Sequence, residues 1–261
     1  MSATTTLFPK AVIFDAYGTL FDVHSVVAAA EQMFPGHGDT LSLLWRQKQI
    51  EYTQLRTLSD VGGAHYEPFW TITLDALRFS ARKLGLTLNT AAEKRLMDEY
   101  ACLSAFPDAV PVLRQLREPQ AIADVAVGAR IGLAILSNGN PQMLDIAVKS
   151  AGMAGLFDHV LSVDAVRAYK PAPAAYALGT AAFGATPREI VFVSSNGWDV
   201  AGATWFGYTT FWVNRARNPA EELGVSPHGT GTSLADLPAF LATLLPSDKS
   251  PVRARPSRGA T

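Results

Sequence analysis

The feature that most constrains this chain is a set of short, unbroken apolar runs, each stopping at a polar or glycine-bearing turn. Val12–Phe14 stops at Asp15, Ile131–Leu136 (IGLAIL) at Ser137-Asn138-Gly139, and Ile190–Val193 (IVFV) at Ser194-Ser195-Asn196. His159–Val163 and Thr209–Val213 (TTFWV) read as two more strands. A strand with one wet face alternates apolar and polar residues, whereas an unbroken run has both faces covered, as in a parallel sheet flanked by helices. Helical patterns interleave with these runs from Phe106 onward. Asp108 is placed to cap Ala109–Leu116, Pro141 opens a helix, Pro173–Phe183 forms another, and Leu234–Leu245 closes the fold after a cap at Ser233. The alternation predicts an α/β domain built on a parallel sheet.

Residues 25–105 read differently. Helical segments are expected at Val23–Phe34, Leu41–Leu58, Phe69–Leu84 and Ala92–Leu103, separated by Pro35-Gly36-His37-Gly38, by the Ser59–Gly63 loop and by Gly85–Thr90, with no convincing strand among them. In the second, Asp39 or Thr40 is available as cap, and Leu41, Leu44, Trp45, Tyr52 and Leu55 share one face, with Arg46 beside it. An all-helical insertion after the first strand follows. At 261 residues there is room for a core domain and such an insert, and 48% hydrophobic with 17% charged residues excludes disorder throughout.

A net charge of −1 offers no basic face for nucleic acid or an anionic membrane. No apolar stretch is long enough to span a bilayer, and the start MSATTTLFPK lacks the basic and apolar regions of a signal peptide. Cys102 is alone, so no disulfide framework forms; it reads as a small buried residue in a reducing cytosol. The basic, proline-bearing tail 247–261 reads as disordered.

Chemistry is expected where strands end, because ligands of open parallel sheets bind outside the carboxyl ends of the strands. Asp15 stands at such an end, with Gly18 supplying the turn; in isolation it also reads as a turn cap. Ser137 lies between a strand end and a helix N-terminus, a natural anion site. Lys170, before Pro171, would ordinarily be a solvated loop charge, and none of the five histidines pairs at metal-ligand spacing.

Taken together, Asp15-Ala16-Tyr17-Gly18-Thr19, the segment Leu44-Trp45-Arg46-Gln47-Lys48-Gln49 followed by Glu51-Tyr52-Thr53, Ser137, Tyr169-Lys170-Pro171 and Ser194-Ser195-Asn196-Gly197-Trp198-Asp199 resemble the haloacid dehalogenase superfamily, in its 2-haloacid dehalogenase branch. The resemblance implies a doubly wound, Rossmann-like parallel-sheet core (residues 1–24 and 106–246) with an inserted helical cap domain (residues 25–105), the site lying between them. Phosphatases of the superfamily carry a second acid where Tyr17 stands and an acid pair for magnesium where Asn196 stands. A phenol is a poor proton donor near neutrality, and Asp15 with Asp199 is a poor cage for a hard octahedral cation. Both departures imply chemistry without metal, cofactor or leaving-group protonation.

The implied reaction is hydrolytic dehalogenation of short (S)-2-haloalkanoic acids. Asp15 attacks the halogen-bearing carbon, Arg46 receives the halide, and water activated by Asp199 and oriented by Ser194 and Asn196 cleaves the resulting ester. Lys170 balances the charge of Asp15. Ser137, with Thr19, Asn138 and Tyr176, belongs to the implied substrate-binding set, and Tyr17, Gln47, Ile50, Phe69 and Trp198 form the alkyl pocket. The resemblance also suggests a homodimer, and the lone cysteine a cytoplasmic location. The competing readings are a magnesium-dependent phosphatase or phosphonatase of the same superfamily and a catalytically silent protein retaining the fold.

Overall fold

The computed structural model describes residues 9–59, 62–118 and 130–245. Its centre is a six-stranded parallel sheet made of β1 (Ala11–Phe14), β2 (Gly132–Ser137), β3 (His159–Ser162), β4 (Ile190–Ser194), β5 (Thr209–Val213) and β6 (Gly229–Gly231), in the order β3-β2-β1-β4-β5-β6. The apolar runs are unbroken because the sheet is covered twice. Val12, Phe14, Leu133, Ile135, Val191 and Val193 face one core, closed by α5 (Ala109–Arg117), α6 (Pro141–Ser150) and α9 (Leu237–Leu244). Their neighbours Ala11, Ile13, Ala134, Leu136, Ile190 and Phe192 face the other, with Tyr176 from α7 (Pro173–Phe183) and Ala203 from α8 (Gly197–Phe206). The two-residue period of a strand thus serves two interiors. The sheet order turns back at β1, where β2 pairs on one side and β4 on the other, so the crevice at the switch point opens at Asp15 and Ser194.

Between β1 and α5 stand four helices: α1 (Val27–Met33), α2 (Gly38–Leu58), α3 (Phe69–Lys83) and α4 (Thr90–Ala101). They pack through Leu41, Trp45, Phe69, Ile72, Ala76, Leu77, Leu96 and Tyr100, all buried in the larger of the two cores.

Several local expectations differ from the structure. β6 carries no apolar signal in its sequence GTG; its glycines admit close packing, a Cβ on Gly229 falling 2.4 Å from the Phe240 ring. Neither Asp39 nor Thr40 caps α2, whose N-cap is His37. Glu31 instead accepts from the Gly36 and Gly38 N–H groups at 2.6 and 2.9 Å. The buried stripe of α2 runs through Leu41, Ser42, Trp45, Gln49 and Thr53, while Leu55 is 53% exposed. Asp108 makes no cap bond to α5. Its carboxylate accepts from Arg215 at 2.7 and 2.9 Å, from Ser233 Oγ and from the Leu234 N–H, so it ties the turn before α5 to the loop after β5 and to the C-terminal turn. The closing helix is split into a 3-10 turn, Leu234–Asp236, and α9. Cys102 is exposed rather than buried, lying just past the last turn of α4. The proposed disordered tail 247–261 lies outside the described residues.

Candidate active site

Asp15 sits one residue beyond β1 and is held in line by its own N–H, which donates to the Val193 carbonyl of β4 at 2.9 Å. Its carboxylate is 5% exposed, a costly position unless hydrogen bonds surround it. They do: Oδ1 accepts from Lys170 Nζ at 2.8 Å, and Oδ2 from Asn196 Nδ2 at 2.8 Å, Thr19 Oγ1 at 2.9 Å and Ser194 Oγ at 3.4 Å. Three of these donors are delivered by chain turns at strand ends, and Lys170 by the segment between β3 and α7. Thr19 follows the Gly18 turn, where a φ of 92° suits glycine, and Ser194 ends β4 with Asn196 as N-cap of α8.

Lys170 is 1% exposed and joins two carboxylates, donating to Asp199 Oδ2 at 2.6 Å as well as to Asp15, with a third bond to the Leu136 carbonyl at 3.1 Å. Burial by itself lowers the pKa of an amine; here the charges of Asp15 and then Asp199 outweigh it and hold the ammonium above the ordinary lysine value. Asp199, in the first turn of α8, is fully buried and accepts from the Tyr176 hydroxyl at 2.7 Å. Burial pushes its carboxyl up to about 6, against the pull of the Lys170 ammonium and the Tyr176 bond and with the Asp15 charge adding to the rise. A carboxyl with a pKa near 6 is suited to act as a base near neutral pH.

Facing Asp15 is a small cavity lined by Asp15, Tyr17, Arg46, Ile50, Thr53, Phe69, Asn138 and Trp198. Arg46 enters it from α2. Its Nη1 donates to Gln49 Oε1 at 2.7 Å, and its Nη2 reaches the Tyr17 carbonyl at 3.1 Å and Asn196 Oδ1 at 3.4 Å, which fixes the guanidinium against the strand-end loops. The Tyr17 ring packs against Phe69 at 5.5 Å and Tyr100 at 5.8 Å. Burial, reinforced by Tyr100, lifts the Tyr17 phenol well above its usual pKa, so it keeps its proton and serves as a wall.

The structure therefore gathers Asp15, Arg46, Lys170, Ser194, Asn196 and Asp199 with Tyr17, Ile50, Phe69, Asn138 and Trp198. It separates four other expected residues from the cavity. Gln47 lies on the exposed side of α2. Tyr176 is fully buried behind Asp199, in the smaller core. Thr19, also fully buried, spends its hydroxyl on Asp15 and on the Ser195 N–H. Ser137 is buried with its Oγ accepting from the Gly139 N–H at 3.0 Å, outside the cavity lining.

Two contributors escaped the sequence reading. Thr53 lines the cavity, and the spacing 46, 50, 53 on one helix face was the available signal. Gln49 is fully buried and links the helical layer together, accepting from Arg46 and from the Tyr100 hydroxyl at 3.0 Å while donating to Thr73 Oγ1 at 2.7 Å. A glutamine one turn after Trp45 on the buried face was the clue.

A carboxylate at the switch point of a doubly wound sheet, paired with a buried lysine and faced by an arginine from an inserted helical layer, defines a hydrolase with an aspartate at its centre. Residues 9–207 match the haloacid dehalogenase-like hydrolase family, and the chain belongs to it. It is 46% identical over 225 residues to the (S)-2-haloacid dehalogenase of Pseudomonas sp. (strain YL), covering 86% of this chain and 91% of that one. A crystal structure of an L-2-haloacid dehalogenase superposes with a TM-score of 0.84 at 61% identity, covering 90% of this chain and 99% of the other. The L-2-haloacid dehalogenase of Xanthobacter autotrophicus with chloropropionic acid covalently bound superposes at 0.78 and 38% identity, over 90% and 98% of the two chains.

Proposed function

We propose that the protein is a metal-independent (S)-2-haloacid dehalogenase that converts short (S)-2-haloalkanoic acids to (R)-2-hydroxy acids through an ester on Asp15. The observation that carries this reading is the small cavity with Asp15 on one wall and Arg46 among the residues that close it. A carboxylate oxygen of Asp15 forms a bond to C2 as the carbon–halogen bond breaks, and the halide leaves with its electron pair toward the Arg46 guanidinium, needing no proton. Asp199 then takes a proton from water, which attacks the ester carbonyl; as the bond between that carbonyl and the substrate oxygen breaks, the departing oxygen takes the proton back from Asp199, and Asp15 returns to its carboxylate by releasing the remaining water proton to solvent. The stereocentre is touched once, so it inverts.

Metal independence is supported by what already fills the carboxylates. The Lys170 ammonium stands between Asp15 and Asp199, at 2.8 and 2.6 Å, and the Asn196 amide occupies Asp15 Oδ2. The absence of an acid at Tyr17 counts against phosphoryl transfer to an alcohol leaving group. In this reading residues 25–105 act as the cap over a core of 1–24 and 106–246, with substrate and halide as the only small-molecule partners. No described helix is long and apolar enough to cross a membrane. A cytoplasmic homodimer completes the proposal; α2 leaves Leu43, Leu55 and Leu58 exposed, and light scattering on the purified chain tests it.

The deciding experiment measures halide and phosphate release from one chelator-treated sample, with chiral analysis of product. Halide with (R)-lactate from (S)-2-chloropropionate is expected; a strict magnesium requirement, or (S)-lactate, refutes the proposal.

A further inference from the structure

The segment between β3 and α7 does more than deliver Lys170. It reaches across to the helical layer through Asp164, Arg167 and Tyr169. The Asp164 carboxylate accepts from the Tyr66 hydroxyl. Arg167 donates to the Gly63 carbonyl at 3.2 and 2.9 Å and lies over the Tyr66 ring at 5.5 Å. Tyr169 stacks on Tyr66 with centroids 5.0 Å apart at 27°, its N–H donates to Thr57 Oγ1 at 3.0 Å, and its hydroxyl donates to the Glu67 carbonyl. Two backbone details show how tightly this contact is specified. Arg167 holds a φ of 49°, a left-handed conformation that a non-glycine residue adopts only where its surroundings hold it there. A Cβ on Gly63 would stand 3.0 Å from Arg167 Cβ, so the glycine is what admits the arginine.

The contact leads directly to the reacting groups from both sides. On the core side the residue after Tyr169 is Lys170, whose N–H donates to Asn138 Oδ1 at 3.0 Å and whose ammonium joins Asp15 to Asp199. On the helical side Glu67 leads into Phe69, a cavity wall whose ring packs on Tyr169 at 6.2 Å and on Tyr17 at 5.5 Å. Tyr169 is fully buried, so its seat exists only while the helical layer is in place.

We propose that Tyr66 and Tyr169 form a clasp that registers the helical layer on the sheet and thereby positions the Lys170 ammonium between Asp15 and Asp199. Both are positioning residues, and the effect is read through the dehalogenase reaction proposed above. The groups facing Asp199 are Lys170, Tyr176 and Asp15, so a displaced ammonium is felt there as well as at the nucleophile.

The test compares wild type with Tyr66→Ala and Tyr66→Phe, measuring the pre-steady-state halide burst, the acid limb of ester hydrolysis and thermal melting. The expected result for Tyr66→Ala is a burst slowed by about 10- to 100-fold, the cost of misplacing a group near the chemistry by roughly 1 Å, together with an acid limb moved to higher pH. Tyr66→Phe, which keeps the stack and loses the hydroxyl that bonds Asp164, falls between. Tyr66→Ala combined with Tyr169→Ala is no slower than the worse single variant, since the two act as one unit. An unchanged burst in Tyr66→Ala, or a slower burst with the acid limb unmoved, overturns the clasp and leaves these residues with packing alone. A wild type that releases no halide from any 2-haloacid refutes the underlying reaction instead, which separates the two failures.

Discussion

Replacing Arg46 by alanine tests the halide route most directly, and the structure sets both the size and the specificity of the effect. The guanidinium spends donors on Gln49, the Tyr17 carbonyl and Asn196, and has others left for the cavity it lines. A preorganised, charged donor aimed at charge that develops in a transition state contributes about 2 to 4 kcal/mol, or roughly 30- to 1,000-fold in rate. The cost to the fold should be small. Gln49 Oε1 still accepts from Tyr100, and the Tyr17 carbonyl from Asn196 Nδ2 at 3.1 Å, so of the three acceptors only Asn196 Oδ1 loses its partner, a long contact of 3.4 Å. Rapid-mixing measurement of halide release under single-turnover conditions is the assay, with ester hydrolysis followed in parallel. Arg46→Ala should slow the first step by the stated factor and leave the second nearly unchanged. Arg46→Lys should fall between, because an ammonium cannot make the planar, forked set of bonds. Halide release at the wild-type rate in a folded Arg46→Ala protein would refute the assignment.

With enzyme in excess in oxygen-18 water, the first turnover should yield unlabelled lactate and a heavier peptide spanning residues 12–20; labelled lactate with that peptide unchanged in mass would make water, not Asp15, the attacking group. Because the Asp199 carboxyl is raised to about 6, its protonated form persists to higher pH than an ordinary aspartate, so ester hydrolysis should fall as pH drops through about 6, and a limb near 4 in quenched-flow measurements would contradict this. Tyr176→Phe removes a 2.7 Å bond to a buried carboxylate, which should cost about 1.5 to 3 kcal/mol in denaturant unfolding and move that limb further up, because the lost donor favoured the charged form. Gly139→Ala would place a Cβ 2.7 Å from Tyr17 Cε2, so the ring should be driven into the cavity and KM should rise more for 2-chlorobutyrate than for chloroacetate; equal KM values would count against Tyr17 as the wall that sets chain length.

The sheet was legible because its strands are buried on both faces, which leaves an unbroken apolar signature in IGLAIL and IVFV. β6 left none, since Gly229 and Gly231 contribute close backbone packing rather than side chains. In the site, the residues at strand ends were legible by position: Asp15 and Ser194 each end a run. The helical layer was harder to read. Periodicity marked which helices exist, yet it rates Leu55 above Gln49, and the molecule buries Gln49 because a chain of hydrogen bonds from Arg46 to Thr73 satisfies it. Whether Tyr176 touches substrate or stands behind Asp199 depends on which face of the sheet α7 covers, and local pattern carries no such information.

The placement of β1 has a consequence for how the molecule opens. β1 is paired on both sides, and the N–H of Asp15 is itself bonded to β4, so this backbone belongs to the part of the protein whose amides exchange with solvent only when the whole domain unfolds. Arg46 rides on a helix whose outer face is wet and whose attachment runs through side chains. Fluctuations that lift the helices would therefore part Arg46 from Asp15 while leaving the latter's backbone protected. Amide exchange should be slow at residues 12–15, and an esterified Asp15 would outlast many such openings.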